Sequence, residues 1–126
     1  MNWSVIAAAL LGLAVLLGAF GAHALKGQLD AYAMAVYDKA VFYHFIHALG
    51  LLAVSIFPRL EILTQSAASR VCALLFSGIL LFSGSLYGLA ISGQRILGAV
   101  TPLGGIAFIA GWFLLSYSLT RGTKTV

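Results

Sequence analysis

The stretch from Gly21 to His47 reads GAHALKGQLDAYAMAVYDKAVFYHFIH, and the rest of the chain is organised around it. It contains all three histidines, two of the three acidic residues and two of the seven basic residues of the 126-residue chain. The sequence on either side of this stretch is almost entirely apolar. Any chemistry that the protein performs must therefore lie in this stretch or close to it.

The composition of the whole chain indicates an integral membrane protein. Hydrophobic residues make up 62% of the chain and charged residues only 8%, against about 25% charged residues in an average soluble domain. A soluble protein with so few charges could not cover its surface with polar groups, whereas lipid solvates apolar side chains. The seven basic residues occur singly and form no basic stripe, so nothing in the sequence indicates nucleic-acid binding.

The cysteine usage and the common motifs give no sign of a cofactor. Cys72 is the single cysteine, so it cannot form an internal disulfide, and we interpret it as a small buried hydrophobe. The CxxC, HExxH, GxGxxG and Walker-type patterns are all absent from the sequence. The usual metal and nucleotide signatures therefore have no match, and we predict neither a cofactor nor a metal site.

Four stretches without Asp, Glu, Lys or Arg are long enough to cross a bilayer. A transmembrane helix needs about 20 apolar residues to span a hydrocarbon core of about 30 Å. The predicted spans cover residues 3–24, 40–57, 70–92 and 102–119. We therefore predict an all-α fold, an integral membrane four-helix bundle in which residues 1–126 form a single domain.

The first predicted span has an alternative interpretation as a secretory signal peptide. The sequence Ala22-His23-Ala24 resembles an A-x-A cleavage site. However, no Lys or Arg precedes the apolar run, and a signal peptide normally begins with such a positive region. We therefore interpret this span as a helix that is retained in the mature protein.

Two further boundaries depend on local patterns. We predict that residues 27–39 form a short amphipathic connecting helix, either at the membrane surface or leading directly into the second span. Its apolar stripe consists of Leu29, Tyr32, Val36 and Tyr37. At the fourth span we predict Thr101 as the N-cap and Pro102 at the first helical position, where the missing N–H costs nothing. Residues 96–100 would then be an apolar connection.

Small residues spaced four apart predict where the helices approach one another closely. In lipid, such faces allow two helix backbones to meet, because van der Waals packing is a main source of helix association there. We predict one such face on the third span and another on the first. The third-span face consists of Gly84, Gly88 and Ser92, and the first-span face consists of Ala14, Gly18 and Ala22.

The direction of the chain brings polar side chains from several spans to one half of the membrane. With four crossings, the first and third connections lie on the same side of the bilayer. The side chains near that side are His23, Tyr43, His44, His47, Ser85, Tyr87 and Thr101. We call these seven residues the predicted polar cluster, and we expect His23 and His47 to face the bundle interior near Tyr87.

Several ordered motifs resemble those of a known family. They are Gly18-Ala19-Phe20-Gly21-Ala22-His23-Ala24-Leu25, Tyr43-x-x-x-His47-Ala48-Leu49, Phe82-Ser83-Gly84-Ser85-Leu86-Tyr87, and Thr101-Pro102-Leu103-Gly104-Gly105 with Gly111-Trp112. Over nearly the whole chain they resemble the YgdD-like family of small bacterial inner-membrane proteins. The resemblance implies a four-helix membrane protein of unknown function and no catalytic residue. Ala24 replaces a usual second glycine, and His44 stands where a glutamine is expected, which ranks His44 below His23 and His47.

Three roles are open for the predicted polar cluster. The first is helix packing through interhelical hydrogen bonds, in a structural or interaction bundle. The second is the binding or transport of a small molecule, a lipid or an ion. The third is a metal or haem site built from histidines alone. Enzymatic activity is not predicted, because the carboxylates Asp30, Asp38 and Glu61 are dispersed and no nucleophile–base pair is apparent by spacing.

The basic residues predict the orientation in a bacterial inner (plasma) membrane. With a cytoplasmic N-terminus, the cytoplasmic side carries four basic residues, Arg59, Arg70, Arg121 and Lys124, and the other side carries three, Lys26, Lys39 and Arg95. The positive-inside rule thus favours cytoplasmic N- and C-termini by one charge. The expected partners are membrane lipid and either a second copy of the chain or another membrane protein, and not nucleic acid.

Overall fold

The computed structural model of the chain describes residues 1–123, which fold into four long helices. The helices are α1 (Trp3–Leu25), α2 (Ala31–Leu60), α3 (Gln65–Ser92) and α4 (Leu97–Arg121). Each of them is long and apolar enough to cross a membrane. The prediction of an all-α four-helix membrane bundle is confirmed. Lys124, which contributes to the charge argument above, lies outside the described residues.

Side-chain caps set where the first three helices begin. The first backbone N–H groups of a helix have no partner within the helix, and a short polar side chain can accept from them. Asn2, Asp30 and Thr64 each accept from the N–H three residues later, at 3.4, 2.7 and 3.1 Å. Asp30 also places a negative charge at the positive end of the α2 dipole.

Two of the helices leave α-helical geometry near their ends. The last turn of α1, Gly21–Leu25, is a π-helix, and α2 closes with a 3₁₀ turn over Phe57–Leu60. Pro58 lies within this 3₁₀ turn, which ends at Glu61, where the backbone turns left-handed with a φ of 57°. At the end of α3, Gly93 adopts a φ of 72°, which reverses the chain direction at little cost for a residue without a Cβ.

Residues 27–39 have the second of the two predicted placements, in which the segment leads directly into the second span. α-Helical geometry is continuous over Ala31–Ile56, so residues 31–39 are the first turns of α2 and only residues 27–30 remain as a connection. Of the predicted apolar stripe, Tyr37 is fully buried whereas Tyr32 is 70% exposed. Only the part of the stripe around Tyr37, further along α2, therefore packs against the bundle.

The predicted start of the fourth span is wrong. α4 begins at Leu97 and contains Pro102 within its helix, so Thr101 is not an N-cap. The N–H groups of residues 97–99 donate to the carbonyl oxygens three residues earlier at 3.0–3.1 Å, which caps the helix without a side chain. Pro102 then removes only one intrahelical bond, the one to the Gly98 carbonyl.

The helices pack in chain order, with the apolar core towards one end. α2 packs against α1 and α3, and α4 packs mainly against α3. One end of the bundle carries the N-terminus, the α2–α3 connection and the end of α4, and we call it the N-terminal end. We call the other end the opposite end. The buried core consists of Ala7, Ala48, Leu51, Val54, Leu63, Ala68, Val71, Cys72, Leu75, Ile79, Phe108 and Leu115. Most of the core lies in the N-terminal half. Cys72 is buried in it, as the sequence predicts.

Glycine does bring α3 and α4 together, but not through the face predicted on α3. A Cβ on Gly84 would meet no atom within 4 Å, and a Cβ on Gly88 would meet only the flexible end of Leu97. Ser92 is exposed. The backbones meet instead at Gly104 of α4, where a Cβ would lie 2.7 Å from the Cα of Phe82.

A π-helical segment explains why the predicted face on α3 meets no other backbone within the bundle. A contact of this face across a dimer stays a prediction. Residues Ile79–Ser83 form a π turn within α3, and a π turn inserts an extra residue into the helical repeat. The residues after it are rotated relative to those before it. Gly84, Gly88 and Ser92 all follow the π turn and still share one face of a regular helix, but that face is rotated away from the neighbouring backbones.

On α1 the buried small residues are seven apart rather than four. Ala7, Ala14 and Gly21 are buried, whereas Ala22 is exposed. A Cβ on Gly18 would be 3.6 Å from a methyl group of α2, an ordinary contact. The predicted face of Ala14, Gly18 and Ala22 is therefore wrong at Ala22, which does not pack against a neighbouring helix. A period of seven keeps side chains facing a neighbour that crosses at a small angle.

Candidate functional site

The structure gathers most of the predicted polar cluster into one layer between the apolar core and the opposite end. Each member of the layer forms a hydrogen bond inside the bundle, and five of them are buried. We call this set the polar layer, and it consists of Tyr37, His44, His47, Ser83, Ser85, Tyr87 and Thr101. Helices α2, α3 and α4 all contribute to it, so it joins parts of the chain that are distant in sequence.

His44 and Tyr87 connect α2 to α3. The Nδ1 atom of His44 lies 2.8 Å from the Tyr87 hydroxyl, and the His44 side chain is only 2% exposed. The Nε2 atom has no partner that meets hydrogen-bond geometry, and the nearby Leu10 carbonyl of α1 is its available acceptor. The tautomer with a proton on Nε2 suits both contacts, since Nδ1 then accepts from the Tyr87 O–H.

Tyr37 connects the same group to α1. Its hydroxyl donates to the Leu17 carbonyl, and its ring meets the Tyr87 ring edge-on at 5.3 Å between centroids. The nearby Gly21 leaves room for this ring, because a Cβ there would lie 2.9 Å from Tyr37 Cδ1. Tyr37, Tyr87 and His44 thus form a continuous contact from α1 through α2 to α3.

His47 is held by its own helix and by aromatic packing. Its Nδ1 atom is 2.7 Å from the Tyr43 carbonyl oxygen one turn earlier, so this nitrogen carries the proton and donates. The ring stacks on Phe108 of α4 at 3.5 Å between centroids and lies 5.7 Å from the Trp112 ring. His47 therefore acts as a flat packing surface between α2 and α4, and its Tyr43 neighbour stacks beside it at 5.8 Å.

Three hydroxyl groups complete the layer. Ser83 Oγ is fully buried and donates to the Ala40 carbonyl of α2 at 2.8 Å. Ser85 Oγ and Thr101 Oγ1 are 2.6 Å apart and join α3 to α4. Thr101 also donates to the Leu97 carbonyl at 3.3 Å, so the hydroxyls find partners without any added ligand.

His23 is not part of this layer, which corrects the sequence expectation. It lies in the π-helical last turn of α1 and is exposed. The π turn directs Gly21 towards Tyr37 and His23 away from the bundle. The ranking of the histidines is corrected as well, because His44, placed last from the sequence, is the one bonded to Tyr87. Within residues 1–123, no three His, Cys, Asp or Glu side chains converge.

Sequence reasoning missed several residues that build the layer. The sequence places Tyr37 in an amphipathic stripe, and it gives Ser83 no role beyond its place in a motif. Phe108 and Trp112 carried no signal that would pair them with a histidine. A signal for Tyr37 did exist, since it precedes His44 by seven residues and therefore lies on the same face of a helix.

Three clefts lie at the two ends of the described bundle, away from the polar layer. At the N-terminal end, one cleft of about 380 Å³ lies between the start of α3 and the end of α4, and another of about 560 Å³ lies beside Met1 and Arg59. A third, of about 660 Å³, lies at the opposite end between Asp30 and Arg95. None of the three is lined by a residue of the polar layer.

Comparison with known proteins identifies relatives over most of the chain. Residues 17–105 match the family described as a protein of unknown function, DUF423. A UPF0382 membrane protein of Staphylococcus saprophyticus is 48% identical over 103 residues, which cover 82% of this chain and 83% of the relative. The UPF0382 membrane protein YwdK of Bacillus subtilis is 47% identical with the same coverage. A UPF0382 membrane protein of Staphylococcus aureus strain USA300 is 39% identical over 82% of both chains.

No solved structure matches the chain significantly. The helical bundle, the length of the matched region and the level of identity agree with one another. They show that this chain belongs to the DUF423 family of membrane proteins, a family of unknown function.

Proposed function

We propose that this protein is a non-enzymatic helical bundle of the bacterial inner (plasma) membrane, in which the polar layer stabilises helix packing. The observation that carries the proposal is that the polar groups of the layer bind one another or backbone carbonyls. His44 bonds with Tyr87, Ser85 with Thr101, and Ser83 with the Ala40 carbonyl. None of the described clefts reaches these groups, which favours packing over a binding or transport path.

The geometry of the hydroxyl groups supports a role without catalysis. A Ser, Thr or Cys nucleophile needs a base within hydrogen-bond reach. Within residues 1–123, the histidine side chains bond to Tyr87 and to the Tyr43 carbonyl, and no Ser, Thr or Cys is bonded to them. The bundle would then work through its outer surface, with membrane lipid and a second copy of the chain or another membrane protein as partners.

The proposed orientation places both termini in the cytoplasm. The N-terminal end carries Arg59, Arg70 and Arg121, followed in sequence by Lys124. The opposite end carries Lys26, Lys39 and Arg95. The excess of one basic residue favours the N-terminal end as the cytoplasmic one. The resemblance to the YgdD-like inner-membrane proteins supports the proposed location in the bacterial inner membrane.

A second candidate function is the binding of a small polar molecule or ion at His44. One observation favours it: Nε2 of this deeply buried ring has no partner with good hydrogen-bond geometry. A buried polar atom without a partner is costly, so a bound species that satisfies it would be stabilising. The Leu10 carbonyl competes for this role, and packing therefore stays the first candidate.

Two substitutions at His44 separate the candidates. Glutamine can still bond with Tyr87, whereas leucine cannot. Packing predicts that His44→Gln keeps most of the thermal stability of the purified protein and that His44→Leu lowers it, with no change in the bound species seen by native mass spectrometry. A species that is present in the wild type and absent from a stable His44→Gln protein would instead establish binding and overturn the packing proposal.

A further inference from the structure

The cleft between the start of α3 and the end of α4 brings two arginines together at the membrane boundary. Its volume is about 380 Å³. The polar residues that line it are Thr64, Ser66, Arg70, Tyr117, Ser118 and Arg121. We propose that this cleft binds the phosphate of an anionic phospholipid headgroup through Arg70 and Arg121.

Both guanidinium groups are held towards this cleft by neighbours on their own helices. Arg70 Nη2 donates to Ser66 Oγ at 2.9 Å, and Arg121 Nη1 donates to the Tyr117 hydroxyl at 3.1 Å. Each contact spans four residues, one helical turn. A guanidinium has five N–H donors in a planar fork, so these bonds fix each group and leave donors for a phosphate.

The charge of the cleft selects an anion. No Asp or Glu lines it among the described residues, so the two positive charges are not offset there. The cleft at the opposite end differs, because Asp30 lines it together with Arg95. Arginine binds phosphate through parallel N–H···O bonds, and two guanidinium groups can share one phosphate.

The position of the cleft favours a lipid over a free ion. It lies where α3 begins and α4 ends, at the ends of two helices that span the membrane. Leu114 lines its inner wall, and Phe113 beside it is 73% exposed on α4. A phospholipid would place its phosphate between the arginines and its acyl chains along this apolar surface. In the proposed orientation this end faces the cytoplasmic leaflet, where anionic lipids attract basic groups.

Ligand-dependent thermal stability of the purified full chain in neutral detergent tests the proposal. Short-chain phosphatidylglycerol is the probe, and short-chain phosphatidylcholine and inorganic phosphate are the comparisons. A ligand that binds the folded state raises Tm with its concentration. We expect phosphatidylglycerol to raise Tm, and the Arg70→Gln/Arg121→Gln protein to bind it at least about tenfold more weakly, as the loss of charge-assisted hydrogen bonds implies.

Arg59→Gln is the control for bulk charge, because it removes a positive charge at the same end but from another cleft. It should bind phosphatidylglycerol as the wild type does, and an equal loss in this control would show bulk charge attraction and overturn the site. Equal shifts with phosphatidylcholine, or with inorganic phosphate, would overturn the anionic-lipid assignment. If the double glutamine protein does not fold, Arg70→Lys/Arg121→Lys replaces it, and unchanged binding there would overturn the role of the guanidinium forks.

Discussion

At the scale of single residues, the polar layer provides hydrogen-bond partners for polar side chains inside the membrane. A polar side chain in the hydrocarbon core has no water to bond with, so it needs a partner within the protein. His44 finds Tyr87, and Ser83 finds the Ala40 carbonyl. Such bonds contribute modestly, about 0.6 kcal/mol each on average. Their main effect is on specificity, because a bundle packed in another register would leave these groups unpaired.

Removal of the Tyr87 hydroxyl tests this argument. We expect Tyr87→Phe to lower the free energy of unfolding by about 0.6 kcal/mol, the average for interhelical hydrogen bonds, and by no more than about 1.7 kcal/mol, the maximum measured for them. Reversible unfolding in mixed micelles measures the change. Tyr32→Phe is the control, because Tyr32 is 70% exposed, and it should have almost no effect.

A double-mutant cycle with His44→Leu shows whether the loss comes from the contact between the two side chains. Residues in contact give non-additive changes, so the double variant should lose less than the sum of the two single variants. Additive losses would mean that His44 and Tyr87 stabilise the bundle independently and that their hydrogen bond does not matter.

At the scale of elements, the π turn of α3 is the feature that positions the layer. The turn Ile79–Ser83 ends on Ser83, which bonds back to α2. It also contains Phe82, whose backbone faces Gly104 of α4. One irregular turn therefore serves two helix contacts at once. A regular helix would rotate the residues that follow it, including Ser85 and Tyr87, away from their partners.

Two glycines near this turn make a matched pair for mutation. Gly104→Ala should destabilise the bundle, because the added methyl group would collide with the Phe82 backbone, which has little freedom to move. The expected cost is about 1–3 kcal/mol. Gly84→Ala should be neutral or stabilising, since its Cβ meets no atom within 4 Å and alanine favours a helix.

Thermal unfolding of the two alanine variants in the same detergent measures the difference. The order of Tm should be Gly84→Ala at or above the wild type and Gly104→Ala clearly below it. The reverse order would restore the glycine face predicted on α3 and contradict the contact at Gly104.

At the scale of the whole molecule, the bundle has two halves with different chemistry. The N-terminal half contains the apolar core, and the half towards the opposite end contains the polar layer. The arginine cleft lies at the N-terminal end, between the start of α3 and the end of α4. If that end is cytoplasmic, the paired arginines face the leaflet with which they would interact.

Cysteine labelling in intact cells tests this orientation. Thr123 and Gln28 are exposed at the two different ends, whereas the native Cys72 is fully buried and should not react. With cytoplasmic termini, a membrane-impermeant maleimide should label Gln28→Cys in intact cells and Thr123→Cys only after the membrane is opened. The opposite pattern would reverse the orientation, and labelling of both positions in intact cells would indicate insertion in two directions.

Much of the fold was determined by the sequence alone. Four apolar runs without charge predicted four crossings, because the bilayer thickness fixes the length of a span. Chain direction also predicted that Tyr43, His44, His47, Ser85, Tyr87 and Thr101 come to one part of the bundle, and in the structure His44 bonds with Tyr87 and Ser85 with Thr101. These inferences depend only on length, polarity and order, which a sequence states directly.

The tertiary structure alone decided which of those side chains meet. His23 turns outward, Gly84 faces open space and α4 begins before Pro102. The positions of His23 and Gly84 depend on helix rotation, which each of the two π turns changes by an extra residue. The start of α4 depends instead on backbone hydrogen bonds at residues 97–99. A π turn is stabilised by contacts with neighbouring helices, such as Ser83 with the Ala40 carbonyl, and the local sequence gives no sign of them.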